Sequence, residues 1–348
     1  MTTTPHLFLT HPTFLEHGRL DHPENARRLQ AIYEAFERSP YRSLLRTDLH
    51  RKATLSELAT VHTETYIRQV LALEGKEGAL DVETLLTPKS VEAALLAAGL
   101  AIELVEQVVQ GKVANGFALL RPPGHHARPM AGMGFCLFNN ITIAAQHALG
   151  LGVQKILILD FDVHHGNGTQ EAFYADRRVL FVDMHQDNLF PNPSGSLAES
   201  GSGPGLGYTI NLPLPPDRRD SDYLKLLDKV VTPLFFEFQP ELILVSAGFD
   251  AHESDPLGHM KLTTEGYSAM TAFVRHMASQ MGHQKIAYFL EGGYDPYWLA
   301  QNVIACVEQL TLETPKRINL PERDDPSTDR LIEKYYDFHI THSRRTTG

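Results

Sequence analysis

The chain has 348 residues, 43% apolar and 21% charged, with 31 Lys and Arg against 42 Asp and Glu and a formal charge of −11. This is enough apolar material for a large core, which excludes a disordered chain or a disulfide-stapled miniprotein, and the acidic balance argues against a broadly basic nucleic-acid surface. Histidine is the outlier, with 18 residues, six of them between His125 and His185.

Near the N-terminus, Asp21 and Glu24 have capping-box spacing around Pro23, which predicts a helix running to about Arg38. Residues 90–110 carry Val91, Leu95, Leu96, Leu100, Leu104 and Val108 at helical spacing. An apolar strand at 116–120 leads into a Gly- and Pro-rich loop at 121–133, and a helix follows at 139–149. Strands at 155–160, 179–184, 241–247 and 285–290 are interleaved with helices at 221–238, 263–281 and 297–310, and a second Gly-rich loop spans 190–207. The alternation predicts an α/β fold with a buried, mostly parallel sheet, in which ligands bind beyond the carboxyl ends of the strands, where both loops lie.

After Leu312 the chain becomes charged, with Pro315, Pro321 and Pro326. Residues 1–312 therefore read as one domain and 313–348 as a tail packed on it, with a helix near 329–336. Two cysteines, Cys136 and Cys306, are too few for a disulfide framework or a Cys-rich zinc site. No signal-peptide pattern opens the chain and no window of about 18 uninterrupted apolar residues occurs. The expectation is a soluble cytoplasmic protein with no membrane or direct nucleic-acid partner; a homo-oligomer is compatible with the sequence.

Four strand ends carry the chemistry. After strand 155–160, Asp160, Asp162 and His164 alternate onto one face of an extended chain. Two carboxylates and an imidazole suit a divalent metal with mixed O and N donors, although a lone D-x-H is more often a solvated turn. Asp250, beyond strand 241–247, is by itself more often a turn or capping residue. Together, Asp162, His164 and Asp250 make a three-ligand site with an open position for a water that the metal would acidify. The adjacent His125 and His126 read as surface, packing, ligand or catalytic groups; a metal-activated water needs a base, and a departing amine an acid. In Glu291-Gly292-Gly293-Tyr294, the glycines allow close backbone approach and the phenol can donate to an oxyanion.

With RPPGHHA at 121–127, GFCLFNN at 134–140, DFDVHHGNGTQ at 160–170, SAGFDAHESDPLG at 246–258 and EGGYD at 291–295, in that order, the chain resembles the histone deacetylase superfamily from His22 to Tyr294. That superfamily includes acetylpolyamine amidohydrolases and bacterial deacetylase-like amidohydrolases. The resemblance implies the three-layer arginase/deacetylase fold, with a central, mostly parallel sheet flanked by helices. It implies Zn²⁺ on Asp162, His164 and Asp250, with Fe²⁺ in some relatives. His126 would be general base and then acid, His125 an electrostatic partner or assistant, and Tyr294 the donor to the oxyanion. Asp160 would stand behind His125 and Asn167 behind His126; the Asn is the class II-like pattern and leaves His126 less basic than an Asp would. Gly134, Phe135, Phe190, Leu257 and Gly293 would shape a narrow channel whose aromatic walls favour a methylene stem. A K⁺ site would use Asp160, the Asp162 and His164 backbone, Asp183 and Met184, with Asp183 where relatives commonly have Ser. A second would use Phe173, Asp176, Val179 and Tyr208.

The implied activity is zinc-dependent removal of acetyl or other short acyl groups from the amine of acyl-lysine, on a protein or peptide. Acetylpolyamine hydrolysis is the alternative; Leu257 stands where polyamine-selective relatives place an acid, which favours acyl-lysine. Glu83 is a candidate for gripping the substrate backbone or amine. An arginase-type ureohydrolase needs a further carboxylate two residues after His164, and Gly166 occupies that position. A binder without catalysis is disfavoured because His126 and Tyr294 are both present.

Overall fold

The structure, a computed structural model, describes residues 5–316 and 325–342. Its strands are β1 His6–Leu9, β2 Leu45–Arg46, β3 Gly78–Ala79, β4 Leu85–Leu86, β5 Asn115–Ala118, β6 Ile156–Asp160, β7 Val179–Asp183, β8 Thr209–Asn211, β9 Leu242–Ala247 and β10 Ile286–Leu290. β3 and β4 form a small antiparallel pair. The other eight make one sheet in the order β2-β1-β5-β10-β9-β6-β7-β8, and each neighbouring pair is parallel. Every residue of β5, β6, β7, β9 and β10 is buried. Strands covered on both faces are largely apolar runs, and that of β5 continues through the buried Leu119 and Leu120 beyond the strand, which makes these five readable from the sequence.

The helices are α1 Ala26–Arg38, α2 Leu55–Leu58, α3 Glu64–Leu71, α4 Ser90–Val109, α5 Asn140–Gly150, α6 Asn167–Phe173, α7 Asp220–Leu226, α8 Thr232–Phe238, α9 Thr264–Gln280, α10 Pro296–Thr311 and α11 Pro326–Tyr336. One layer packs α1 on α10, α10 on α9 and α9 on α7; the other packs α4 on α5 and α5 on α6. With the sheet between them the fold has three layers.

Three local expectations change. The first helix begins at Ala26 and is capped by Asn25, whose side chain accepts from Arg27 N. Asp21 instead pairs with Arg19 at the surface, and Glu24 is buried against Arg121, Arg28 and His17, so neither is free to build the expected box. The single helix expected at 221–238 contains a π-turn at Leu227–Val231 between α7 and α8. Pro233 has no N–H to continue the ladder, and Thr232 Oγ1 donates back to Leu227 O at 3.0 Å. The tail helix starts earlier than expected, at Pro326, where Asp325 caps it and Arg218 donates to Ser327 and Thr328. Residues 317–324, with Pro321, and 343–348 of the expected tail lie outside the described residues. No described helix is long and apolar enough to cross a membrane.

Candidate active site

Four neighbouring strands at the middle of the sheet, β5, β10, β9 and β6, deliver the chemistry from their carboxyl ends. Their extensions carry, in that order, His125 and His126, Tyr294, Asp250, and Asp162 with His164. His164 Nδ1 lies 3.1 Å from Asp162 Oδ1 and 3.1 Å from Asp250 Oδ2, and one donor atom from each of the three residues falls within 4.8 Å of the others. Backbone amides fix both carboxylates: Gly292 N donates to Asp162 Oδ2 at 2.8 Å, and Val163 N to Asp250 Oδ1 at 2.8 Å. Two glycines admit this packing. A Cβ at Gly248 would lie 2.0 Å from Asp162 Oδ2, and one at Gly292 would lie 2.0 Å from Asp250 Oδ2.

The donor set fits a divalent cation. Asp162 and Asp250 are fully buried with no Lys or Arg paired to them among the described residues, so their charge calls for a compensating cation. Burial lowers the His164 pKa, but its hydrogen bonds to Asp162 and Asp250 and their charges outweigh that and push it up to about 10. The cluster thus attracts positive charge at the point where two oxygens and a nitrogen converge. Three protein donors leave room for a further ligand, the pattern of a catalytic site and not of a closed structural one.

Asp160 does not join the three, although alternation along an extended chain would put it on their face. β6 ends at this residue, and its side chain turns back: Oδ1 accepts from Asp162 N and Oδ2 from His125 Nδ1, both at 3.1 Å. His126 Nδ1 donates to Asn167 Oδ1 at 2.8 Å. The two imidazoles lie 4.0 Å apart, yet their surroundings drive them in opposite directions. For His125, burial is outweighed by the charges of Asp162, Asp160 and Glu291, and its pKa rises well above the ordinary value. For His126, burial and the charges of His125 and His164 act together and take it well below. One imidazole is held cationic and its neighbour neutral, a division that assigns different roles to adjacent groups.

Glu291 fixes the loop carrying both histidines, accepting from Gly124 N at 2.7 Å and His125 N at 3.1 Å; burial raises its pKa to about 7. Burial and the charge of Asp250 keep the Tyr294 phenol protonated. Arg28 supports this segment, with its Nε donating to Gly293 O and an Nη to Glu291 O, both at 2.6 Å, and its guanidinium 4.9 Å from the Tyr294 ring centre.

A cleft of about 400 Å³ ends on this cluster, lined by His126, His164 and Tyr294 at its base, Gly134, Phe135, Phe190 and Leu257 along its walls, and His22, Pro23, Val82 and Glu83. Phe190 meets His126 edge-on at 5.0 Å, and a Cβ at Gly134 would lie 2.4 Å from the His126 ring. Gly293, expected in the channel wall, does not line the cleft. It lies behind Tyr294 with φ of 111°, a conformation open to glycine, and its Cβ position faces Phe249 and Leu299. His22 Nε2 donates to Glu83 O at 3.0 Å and its ring stands 4.6 Å from Phe135, tying the outer loop to the wall.

Asp183 pairs in register with Asp160, and Met184 N donates to Asp160 O. The Asp183 carboxylate is engaged by Gly166 N at 2.8 Å and His185 Nδ1 at 2.6 Å. Asp176 lies between Phe173 and Val179 in a turn and pairs with Arg178. Both ring nitrogens of His165 are taken, by Ser194 and Gln170, so it is no ligand. Sequence reasoning missed Arg28 and Arg121 as supports of the site; the available signals were Arg121 at the head of RPPGHHA and the His22-Pro23-Glu24 segment, whose Glu24 binds both arginines.

The sequence model described as the histone deacetylase domain matches residues 22–310. A probable deacetylase of Archaeoglobus fulgidus is 41% identical over 288 residues, covering 82% of this chain and 80% of that protein. A histone deacetylase-like amidohydrolase of Pseudomonas aeruginosa is 36% identical over 296 residues, covering 84% of this chain and 77% of its own length. The crystal structure of the HDA15 HD domain superposes with a TM-score of 0.89 at 34% identity, over 98% of this chain and 96% of that one.

Proposed function

The chain belongs to the histone deacetylase family, and on that premise we propose that it is a zinc-dependent deacetylase acting on acyl-lysine in a protein or peptide. The observation that carries the reading is the junction of a neutral His126, a protonated Tyr294 and the Asp162–His164–Asp250 cluster at the base of one aromatic-walled cleft. Asp162, His164 and Asp250 would hold Zn²⁺, or Fe²⁺ with the same donors, and the ion would supply Lewis-acid polarisation and a nucleophile at neutral pH.

This chain's residues do the rest. Because His126 Nδ1–H is committed to Asn167, Nε2 is the free nitrogen that takes the proton of the attacking water and returns it to the departing amine. Cationic His125 stabilises negative charge as it develops, and the Tyr294 hydroxyl donates to the former carbonyl oxygen. Phe135 and Phe190 enclose the methylene stem and keep bulk water from the base. A K⁺ ion near Asp160, Asp183 and Met184 would offset the paired buried carboxylates beneath His125.

Leu257 in the cleft lining supports acyl-lysine, since it offers nothing to a secondary ammonium. Glu83, the one Asp or Glu in that lining, favours the second reading, acetylpolyamine hydrolysis. Side-by-side kcat/KM for an acetyl-lysine peptide, acetylputrescine and acetylspermidine, each with and without chelator, decides between them. Chelator-sensitive preference for the peptide is expected; preference for either polyamine installs the second reading, and no chelator-sensitive turnover of any of the three sinks both.

A further inference from the structure

The loop that leaves Asp250 and reaches α9 contributes a second buried carboxylate that the chemistry above does not use. Asp255 is 9% exposed and forms no ion pair among the described residues. Its Oδ2 accepts from Tyr294 N at 2.6 Å and Asp295 N at 3.4 Å, and its Oδ1 accepts from Leu257 N at 3.0 Å. Those amides belong to groups on two sides of the cleft: Leu257 in the wall and Tyr294 at the base.

Tyr294 lies in a short connector between the end of β10 and the start of α10. The carbonyl before it is held by Arg28, and the residue after it, Asp295, caps α10 by accepting from Tyr297 N and Trp298 N. The amide of Tyr294 itself is held by Asp255. A buried N–H needs a partner, and a carboxylate with two acceptor oxygens is suited to receive amides from two segments at once. Burial and the charge of Asp250 raise the Asp255 pKa to about 7, and the amides of Tyr294, Leu257 and Asp295 act in the opposite direction, favouring the ionised form.

We infer that Asp255 is a positioning residue that couples the channel wall to the carbonyl-polarising phenol, setting where the Tyr294 hydroxyl stands relative to an acyl group seated against Leu257. The inference rests on the reading of Tyr294 as the oxyanion donor. Asp255→Asn is the informative change, because an amide has one acceptor oxygen and its NH₂ would face a backbone N–H, releasing one of the two segments.

The test is a double-mutant cycle in the zinc-loaded protein, with Asp255→Asn and Tyr294→Phe alone and together, kcat and KM on an acetyl-lysine peptide, and zinc content for each. Asp255→Asn is expected to lower kcat about tenfold or more with zinc retained, since small misplacements of a reacting group are costly, and to change kcat less than about twofold when Tyr294 is already Phe. An equal factor in both backgrounds, an unchanged kcat, or lost zinc would overturn the inference. Hydrogen exchange of the Tyr294 amide gives a readout independent of turnover: protection in the parent protein and its loss in Asp255→Asn support the link, and unchanged protection refutes it. Absence of turnover in the parent protein counts against the deacetylase reading, and exchange then still decides the bridge. If Asp255→Asn does not fold, Asp255→Glu, which keeps both oxygens but displaces them, is judged by the same criteria.

Discussion

Gly292→Ala tests the proposed metal site through steric contact alone. The added Cβ would fall 2.0 Å from Asp250 Oδ2 and 2.6 Å from Asp162 Oδ2, whereas real Cβ contacts essentially never fall below 3.0 Å. Asp250 Oδ2 must therefore retreat by at least about 1 Å, and it cannot do so freely, because the other oxygen is bound to Val163 N and the side chain is fully buried. Displacing a ligand by that distance breaks the convergence with His164 Nδ1. We expect zinc affinity to fall at least 10²-fold, about 3 kcal/mol, with kcat/KM falling in proportion at limiting zinc. The assay is competitive zinc titration against a chromophoric chelator, followed by turnover at matched free zinc. Gly150→Ala is the control: its Cβ meets nothing within 4 Å at the end of α5, so affinity and turnover should stay at parent values. Parent-like zinc affinity in Gly292→Ala would show that Asp162 and Asp250 do not jointly hold the ion.

Three further outcomes are expected. Tyr294→Phe should lower kcat by roughly two orders of magnitude through loss of one donor to the oxyanion, and unchanged turnover would remove Tyr294 from the chemistry. His126→Ala should nearly abolish turnover while zinc stays bound; metal analysis showing the ion gone would make His126 a ligand. The acid limb of kcat/KM should lie below the ordinary imidazole value of 6.5, because burial and the positive charges of His125 and His164 depress the His126 pKa. The sign is fixed by the base: His126 works when neutral, so activity is lost as pH falls through that depressed value. Asn167→Asp should move the limb upward, and a parent limb at or above about pH 7 would contradict the assignment.

The centre of the sheet and the residues beyond its strands were legible because both depend on local pattern. Strands buried on two faces are largely apolar runs, and acids and histidines immediately after such runs stand where the fold places ligands. β2, β3, β4 and β8 escaped because runs of two or three residues carry too little pattern to distinguish from a loop. The Asp21–Glu24 spacing misled for a different reason. It satisfies a local rule, but the Glu24 carboxylate is claimed by Arg121, which lies 97 residues away. Asp255 was equally opaque: its importance lies in which distant amides approach it, and no spacing in the chain announces a bond from Asp255 to Tyr294. The alternation that put Asp160 beside Asp162 failed because it was carried past the last residue of β6.

The order of strands in the sheet constrains how the protein can be made. β9 and β10, the last two strands in chain order among the described residues, are inserted at the middle of the sheet, between the β2-β1-β5 group and the β6-β7-β8 group. Until residue 290 has emerged, β5 and β9 each lack the partner that β10 supplies and present an unpaired edge, the condition under which nascent chains aggregate. Assembly must then close the β5–β10 pairing, whose partners Asn115 and Ile286 are 171 residues apart in the chain, a non-local contact of the kind that slows folding. A nascent chain that stalls before β10 cannot become a smaller working enzyme, since the segment that completes the sheet also brings in Tyr294.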